Sequence, residues 1–184
     1  MKIELLSHPT DHDWMEVKRR ALVTVGKKPV KEPDMMWKKQ ILQARHSPIR
    51  RLWFSFYLEV PYWVSVHLVR HNVGCQPYVK SQRNDRQSEY DRTKAPQDQQ
   101  VCMIWDINAE ELMTIANKRL CNQASKETQQ VVRQMCSLVL GTNPEFFFCL
   151  VPACVRQGGI CYEMKPCGKG GKHEQIRKKK EQKS

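Results

Sequence analysis

The sequence predicts an α+β domain, and three observations carry that expectation. Aromatic and apolar side chains alternate along "RLWFSFYLEVP" (51–61) as they do in a strand. Two later stretches, from Asn108 and from Ser125, combine a capping residue with the apolar spacing of a helix. The chain has 184 residues, 40% of them hydrophobic and five of them Trp, which is enough for one domain with a real core and too little for two.

The elements follow in order. "MKIELLS" reads as a short strand ended by Pro9, and residues 11–24 as an amphipathic helix opened by Asp11 or Asp13. "GKKPVKEPD" is a loop punctuated by Gly26, Pro29 and Pro33, and a short helix is expected over 34–45. In "SPIRRLWFSFYLEVP" the residues Trp53, Ser55 and Tyr57 alternate with Leu52, Phe54, Phe56 and Leu58. Bulk on both faces predicts a strand buried on one side and placed at an interface on the other. After Pro61, "YWVSVHLVRH" puts Val64, Leu68 and His71 on one helical face.

Residues 72–100 are polar and irregular, a long loop of the kind that usually carries function. Asn108 then caps a helix with Glu111 at its third position, and Leu112, Ile115 and Ala116 form the buried face. Ser125 caps a second helix whose Val131, Val132, Met135, Leu138 and Val139 point inward and which Gly141 stops.

The net charge of +12 points to an anionic partner. Seven Lys/Arg against two Glu in "GKGGKHEQIRKKKEQKS" (168–184) supply +5 of it, leaving +7 for the body. No apolar run reaches the roughly 18 residues of a membrane span. "MKIELLSHPTDHDW" is interrupted by Glu4, unlike a signal peptide. Eight cysteines in that context suggest free thiols or ligands in a reducing compartment, so a cytoplasmic location is expected.

The stretch "VRHNVGCQPYVKSQRNDR" (69–86) follows a greasy segment and concentrates Arg70, His71, Arg83 and Arg86, with Arg92 close behind. Arginine forks suit phosphate oxygens, and His71 can donate a hydrogen bond or carry a proton. The alternative is a solvated loop whose arginines pair with Asp85, Glu89 and Asp91. The sequence offers no glycine-rich phosphate loop, no nucleophile with a paired base and no spaced metal set. An enzyme built this way leaves the chemistry to a cofactor.

The order of these residues resembles the flavin-dependent thymidylate synthase (ThyX) family. That family runs Arg-His-Arg, seven residues, Ser, then Arg two further on; here Arg70-His71-Asn72 is followed by Ser81 and Arg83 with one extra residue between. "SPIRRLWFSFYLEVPYWVSVHLVRH" is similar to the family's Thr-Pro-led strand and the helix behind it. "DRTKAP" resembles its Ala-Arg-x-x-Leu-Pro segment, and "INAEELMTIANKRLCNQASKETQQ" its Asn-Ala-Arg-Ser-Leu helix, Leu-Arg turn and Gln-Trp-Glu helix. The chain departs from the pattern at Asn72, which stands for an Arg, at Pro77-Tyr78, which stand for Asn-Glu, and at Gln123 and Lys126.

The resemblance implies a single ThyX-like domain over 1–145 with a mixed or antiparallel sheet and flanking helices. It also implies conversion of dUMP to dTMP with methylenetetrahydrofolate, using FAD reduced by NADPH, in a homotetramer with no membrane association. By position, Ser47, Arg70, His71, Asn72 and Asn108 would bind FAD. Ser81, Arg83, Arg92 and Arg119 would hold the nucleotide, Ser81 and Arg119 taking the catalytic roles. A relative that modifies another pyrimidine nucleotide, or transfers hydroxymethyl in place of methyl, would carry the same marks.

Residues 146–168 form a Cys-rich segment and 169–184 a basic tail, expected to be a solvated, disordered end. Cys149, Cys154, Cys161 and Cys167 are separated by four, six and five residues, with His173 beyond, and are candidate ligands for zinc or an iron–sulfur cluster. Core packing or plain thiols in a Gly-rich loop is the alternative. A second reading of the whole chain is a metal-stabilised basic module for nucleic acid. It accounts for charge and cysteines but not for the spacing of Arg70, Arg92, Asn108 and Arg119, so nucleic acid is not the expected partner.

Overall fold

The structure is a computed structural model, which describes residues 1–168 apart from 82, 84, 87–90 and 92. Glu89, Arg92, His173 and the basic tail 169–184 therefore lie outside the described residues.

Four antiparallel strands form one sheet in the order β1-β2-β4-β3: β1 (Lys2–Ser7), β2 (Trp53–Pro61), β3 (Cys75–Val79) and β4 (Gln100–Asn108). The helices are α1 (Asp11–Val23), α2 (Met35–Gln43), α3 (Tyr62–Val69), α4 (Ala109–Arg119), α5 (Lys126–Thr142) and the short α6 (Ala153–Arg156). This is the α+β architecture the sequence predicts, and the sheet is antiparallel throughout.

Alternation in the central strands builds the core. Phe54, Phe56 and Leu58 of β2 pair with Ile107, Trp105 and Met103 of β4. All six are buried on the face that the helices cover, each aromatic or aliphatic side chain contributing about 1.5–3 kcal/mol on burial. Leu112, Ile115 and Ala116 of α4 and Val131, Val132, Met135 and Val139 of α5 close that core. Phe146 lies 5.3 Å edge-on to Phe54 and 6.3 Å from Trp14, tying the chain beyond α5 back to β2 and α1. The other sheet face carries Trp53, Ile104 and Tyr78, 42%, 39% and 58% exposed. Among the described residues no helix is long and apolar enough to cross a membrane.

Five expectations are corrected. Residues 72–100 are not wholly irregular, because 75–79 form an edge strand that, among the described residues, pairs with β4 alone. Its central Pro77 disguised it, yet a proline without an N–H is tolerated where one side of the strand has no neighbour. The strand expected from residue 47 starts at Trp53, since Ser47–Arg51 is a 3₁₀ turn led by Pro48. Gly141 lies inside α5 and does not stop it, and Leu138 is 37% exposed. His71 falls past the end of α3, whose C-cap is Arg70.

Candidate functional site

The site is built at the corner between α3 and β3. The Arg70 cap ends the helix, the His71 N–H donates to Leu68 O (3.0 Å), and Gly74 turns the chain with φ +73°. The Cys75 thiol donates to His71 O (2.7 Å), closing the turn on itself. Asn108 locks it to α4. Its N–H donates to Gly74 O (2.8 Å), and its Oδ1 accepts from Glu111 N (3.0 Å) as the helix cap. A Cβ at Gly74 would lie 2.9 Å from Asn108 Cγ, so only glycine allows this approach.

In α4, Glu111, Ile115 and Arg119 are spaced at i, i+4 and i+8 and share one stripe. Ile115 anchors the stripe in the core, and the two polar ends reach His71. Glu111 Oε1 lies 2.8 Å from His71 Nδ1. Arg119 donates through Nε to His71 Nε2 (3.0 Å) and through Nη2 to His67 O (2.9 Å). The guanidinium can only donate, so Nε2 is the bare nitrogen and Nδ1 carries the proton. His71 is thus a neutral imidazole between a carboxylate and a guanidinium, with side chains of His71 and Glu111 only 12% and 11% exposed.

One further charge, Arg70, shapes the corner. Burial, and then the neighbouring Arg70, lower the pKa of Arg119. Burial first, then Arg119 and Arg70, lower that of His67. Arg70 is exposed and makes no ion pair among the described residues. Arg119 Nη1 also has no acceptor there. Two guanidiniums near one carboxylate leave an excess positive charge open to solvent, which is what an anion site needs.

The other predicted site residues are placed less tightly. Ser47 opens the 3₁₀ turn and is exposed, as is Asn72, and no hydrogen bond among the described residues joins either to the Arg70 corner. Ser81 follows β3 and accepts from Arg83 N (3.3 Å). Arg83 is forked onto Asp85 (3.0 and 3.0 Å) in a solvent-exposed pair. That ion pair is the one the solvated alternative named for Arg83. Sequence reasoning saw Glu111 only as a helix-start residue and missed His67 and Gly74. The i, i+8 spacing of Glu111 and Arg119 was the available signal.

The four candidate metal ligands are free thiols, and no three His, Cys, Asp or Glu among the described residues gather to hold a metal ion. Cys149 is buried in the core, and burial pushes its thiol pKa up. Cys154, Cys161 and Cys167 instead line a cavity of about 260 Å³ with Cys121, Tyr162 and Met164. That cavity includes none of the predicted flavin or nucleotide residues.

Residues 84–145 match the family described as thymidylate synthase complementing protein, Thy1. The match spans Asn108, Glu111 and Arg119 and starts after Arg70-His71. No curated protein matches the chain. Among solved structures, a UMP/dUMP methylase, PolB, from Streptomyces cacaoi bound with 5-Br dUMP aligns with TM-score 0.64 at 16% identity, over 82% of this chain and 96% of that one. Thymidylate synthase X (ThyX) from Helicobacter pylori, with FAD and dUMP, aligns with TM-score 0.63 at 15% identity, over 82% of this chain and 99% of that one. In fold the chain is similar to these two proteins, and over residues 84–145 its sequence matches the Thy1 family.

Proposed function

We propose that the chain is a flavin-dependent methylase of a pyrimidine nucleotide, of the thymidylate synthase type, with dUMP as its substrate. The observation that carries this reading is Arg119, half-buried at the end of a rigid helix, oriented by His71 and the His67 carbonyl, with Arg70 beside it and Nη1 open. The donor set is chemically suited to phosphates, which both FAD and a nucleotide carry.

In this reading Arg70 and His71, with Ser47, Asn72 and Asn108, hold FAD. Arg119, Arg83, Arg92 and Ser81 hold the nucleotide, with Ser81 and Arg119 nearest the reacting base. Bound FAD, reduced by NADPH, supplies the hydride that completes transfer of a one-carbon unit from methylenetetrahydrofolate to the pyrimidine. Arg119 acts by orientation, since a guanidinium pinned at two nitrogens presents its remaining donors in one direction. Arg83 must leave Asp85 to reach a ligand. The open sheet face with Trp53, Ile104 and Tyr78 suits a second copy of the chain, as the homotetramer requires. Free thiols suit a reducing, cytoplasmic setting. A second reading, UMP as substrate, is favoured by the likeness to the UMP/dUMP methylase.

Reconstitution with FAD tests the cofactor. Wild type should retain the absorption of oxidised flavin through gel filtration, and Arg70→Ala should lose it at unchanged oligomer size. Calorimetric titration of dUMP into the FAD-loaded protein tests the substrate. Arg119→Ala should weaken binding roughly ten- to hundredfold, the worth of a charge-assisted hydrogen bond. A colourless reconstituted wild type refutes the flavin reading, and equal dUMP affinities refute the role of Arg119. Tighter binding of UMP than of dUMP would select the second reading.

A further inference from the structure

We propose that Glu111 is a positioning residue for the nucleotide site, acting on Arg119 through the tautomer of His71. The inference rests on the reading of Arg119 given above. No part of it requires Glu111 to touch a ligand.

Arg119 Nε–H points at His71 Nε2 at 3.0 Å, a contact that exists only while Nε2 is bare. A neutral imidazole has one proton, and the hydrogen bond at one nitrogen decides which nitrogen keeps it. Here the partner of Nδ1 is Glu111 Oε1 at 2.8 Å, an acceptor only. Glu111 therefore holds the proton on Nδ1 and leaves Nε2 free for Arg119. Without that carboxylate only the Arg119 Nε–H still favours Nδ1, and a proton that moves to Nε2 faces that N–H donor to donor. The guanidinium would then swing off the imidazole and keep only its bond to His67 O.

The geometry restricts how this chain can fail. Glu111 and His71 are nearly buried, so water cannot easily replace either partner. The Glu111 backbone N–H is held by Asn108 Oδ1, independently of its side chain. Removing the carboxylate thus leaves the helix start intact. Among the described residues the carboxylate is also the one negative side chain hydrogen-bonded at this corner, and it reaches Arg119 only through the imidazole.

Nitrogen-15 NMR of histidine-labelled protein, without ligand and at about pH 8 where an unperturbed imidazole is neutral, reads the tautomer directly. Wild type and Glu111→Gln should both show His71 protonated at Nδ1, because the Gln amide oxygen still accepts. Glu111→Ala should raise the share of His71 protonated at Nε2 and broaden or shift the Arg119 Nε–H signal. In dUMP titrations Glu111→Ala should lose about tenfold in affinity. Glu111→Gln should stay near wild type, and Glu111→Ala/Arg119→Ala should bind no worse than Arg119→Ala alone. A wild-type His71 protonated at Nε2, an unchanged tautomer in Glu111→Ala, or losses that add in the double variant would each overturn the proposal. If Glu111→Ala fails to fold, the wild-type and Glu111→Gln spectra still decide it. Absence of dUMP binding by wild type would sink the nucleotide reading, and the two NMR signals would then decide the action of Glu111 on Arg119 by themselves.

Discussion

Replacing Gly74 by Ala strikes the joint that holds the site corner against α4. Two costs can be worked from the structure. Gly74 has φ +73°, and an L residue with a Cβ costs about 1–2 kcal/mol in that region. The new Cβ would also lie 2.9 Å from Asn108 Cγ, so the side chain that caps α4 must move. Loss of an N-cap costs about 1 kcal/mol. Restricting the unfolded chain gives back about 0.4–1 kcal/mol, leaving a net loss of about 2 kcal/mol. For a chain of this size that lowers Tm by roughly 4–8 °C. Calorimetry of Gly74→Ala beside Gly141→Ala measures it. Gly141 is helical with nothing within 4 Å of its ideal Cβ, so Ala there should gain about 0.5–1 kcal/mol. A Gly74→Ala protein as stable as wild type, or a Gly141→Ala protein equally damaged, would refute the reasoning.

Two further outcomes concern stability alone. Arg45 has φ +50° and donates to Glu110 (3.1 Å), Thr114 (3.3 Å) and Asn117 Oδ1 (2.8 Å), so Arg45→Ala should cost about 1–3 kcal/mol by orphaning those groups. Arg45→Gly should cost about 1 kcal/mol less, because it relieves the backbone, and urea unfolding of the pair separates the two effects. Thr10 and Asp13 form a capping box at the start of α1, and Thr10→Ala should lower stability by about 1 kcal/mol in the same assay.

What the sequence reveals here depends on whether the signal is local. The strand β2 and the helices α4 and α5 were legible because alternation, caps and apolar spacing are written within each segment. Asn108 shows this well, since its cap on Glu111 follows from spacing alone. The edge strand β3 was hidden because Pro77 forbids a central strand and only the pairing with β4 reveals an edge. Arg119 was picked out by resemblance and by its place at a helix end. Its partners were not, because His67 and His71 come from α3 and the turn after it. The same limit applies to Arg83. Its ion pair with Asp85 is two residues away and could be weighed from the sequence, whereas a change of partner on ligand binding could not. The cysteines mislead for a related reason. Their spacing invites a metal site, yet Cys149 is drawn into the core while Cys154, Cys161 and Cys167 face a cavity.

His67 gives the site a dependence on pH whose sign follows from its surroundings. Burial, and then the charges of Arg119 and Arg70, lower its pKa in the folded protein. Its Nδ1 lies 3.1 Å from the Thr128 hydroxyl, which already accepts from Ser125 Oγ (2.8 Å) and so has its own hydrogen free to donate. The folded protein thus prefers a neutral His67 with Nδ1 as acceptor, whereas the unfolded chain takes up a proton near pH 6.5. The unfolded state binds more protons between the two pKa values, so stability falls as pH drops through that window. Above about pH 6.5 the contribution is fully present. The carboxylates of Glu16 and Asp91 are held low by hydrogen bonds, chiefly from Arg20 and Thr93. Their losses come below about pH 4 and leave the window clear. Urea unfolding of wild type and His67→Gln between pH 8 and 5 is the test. Wild type should lose stability below about pH 6.5, and His67→Gln should lose visibly less over the same range. Parallel curves for the two proteins, or a wild type that gains stability on acidification, would show that His67 is not held neutral by burial and the arginines beside it.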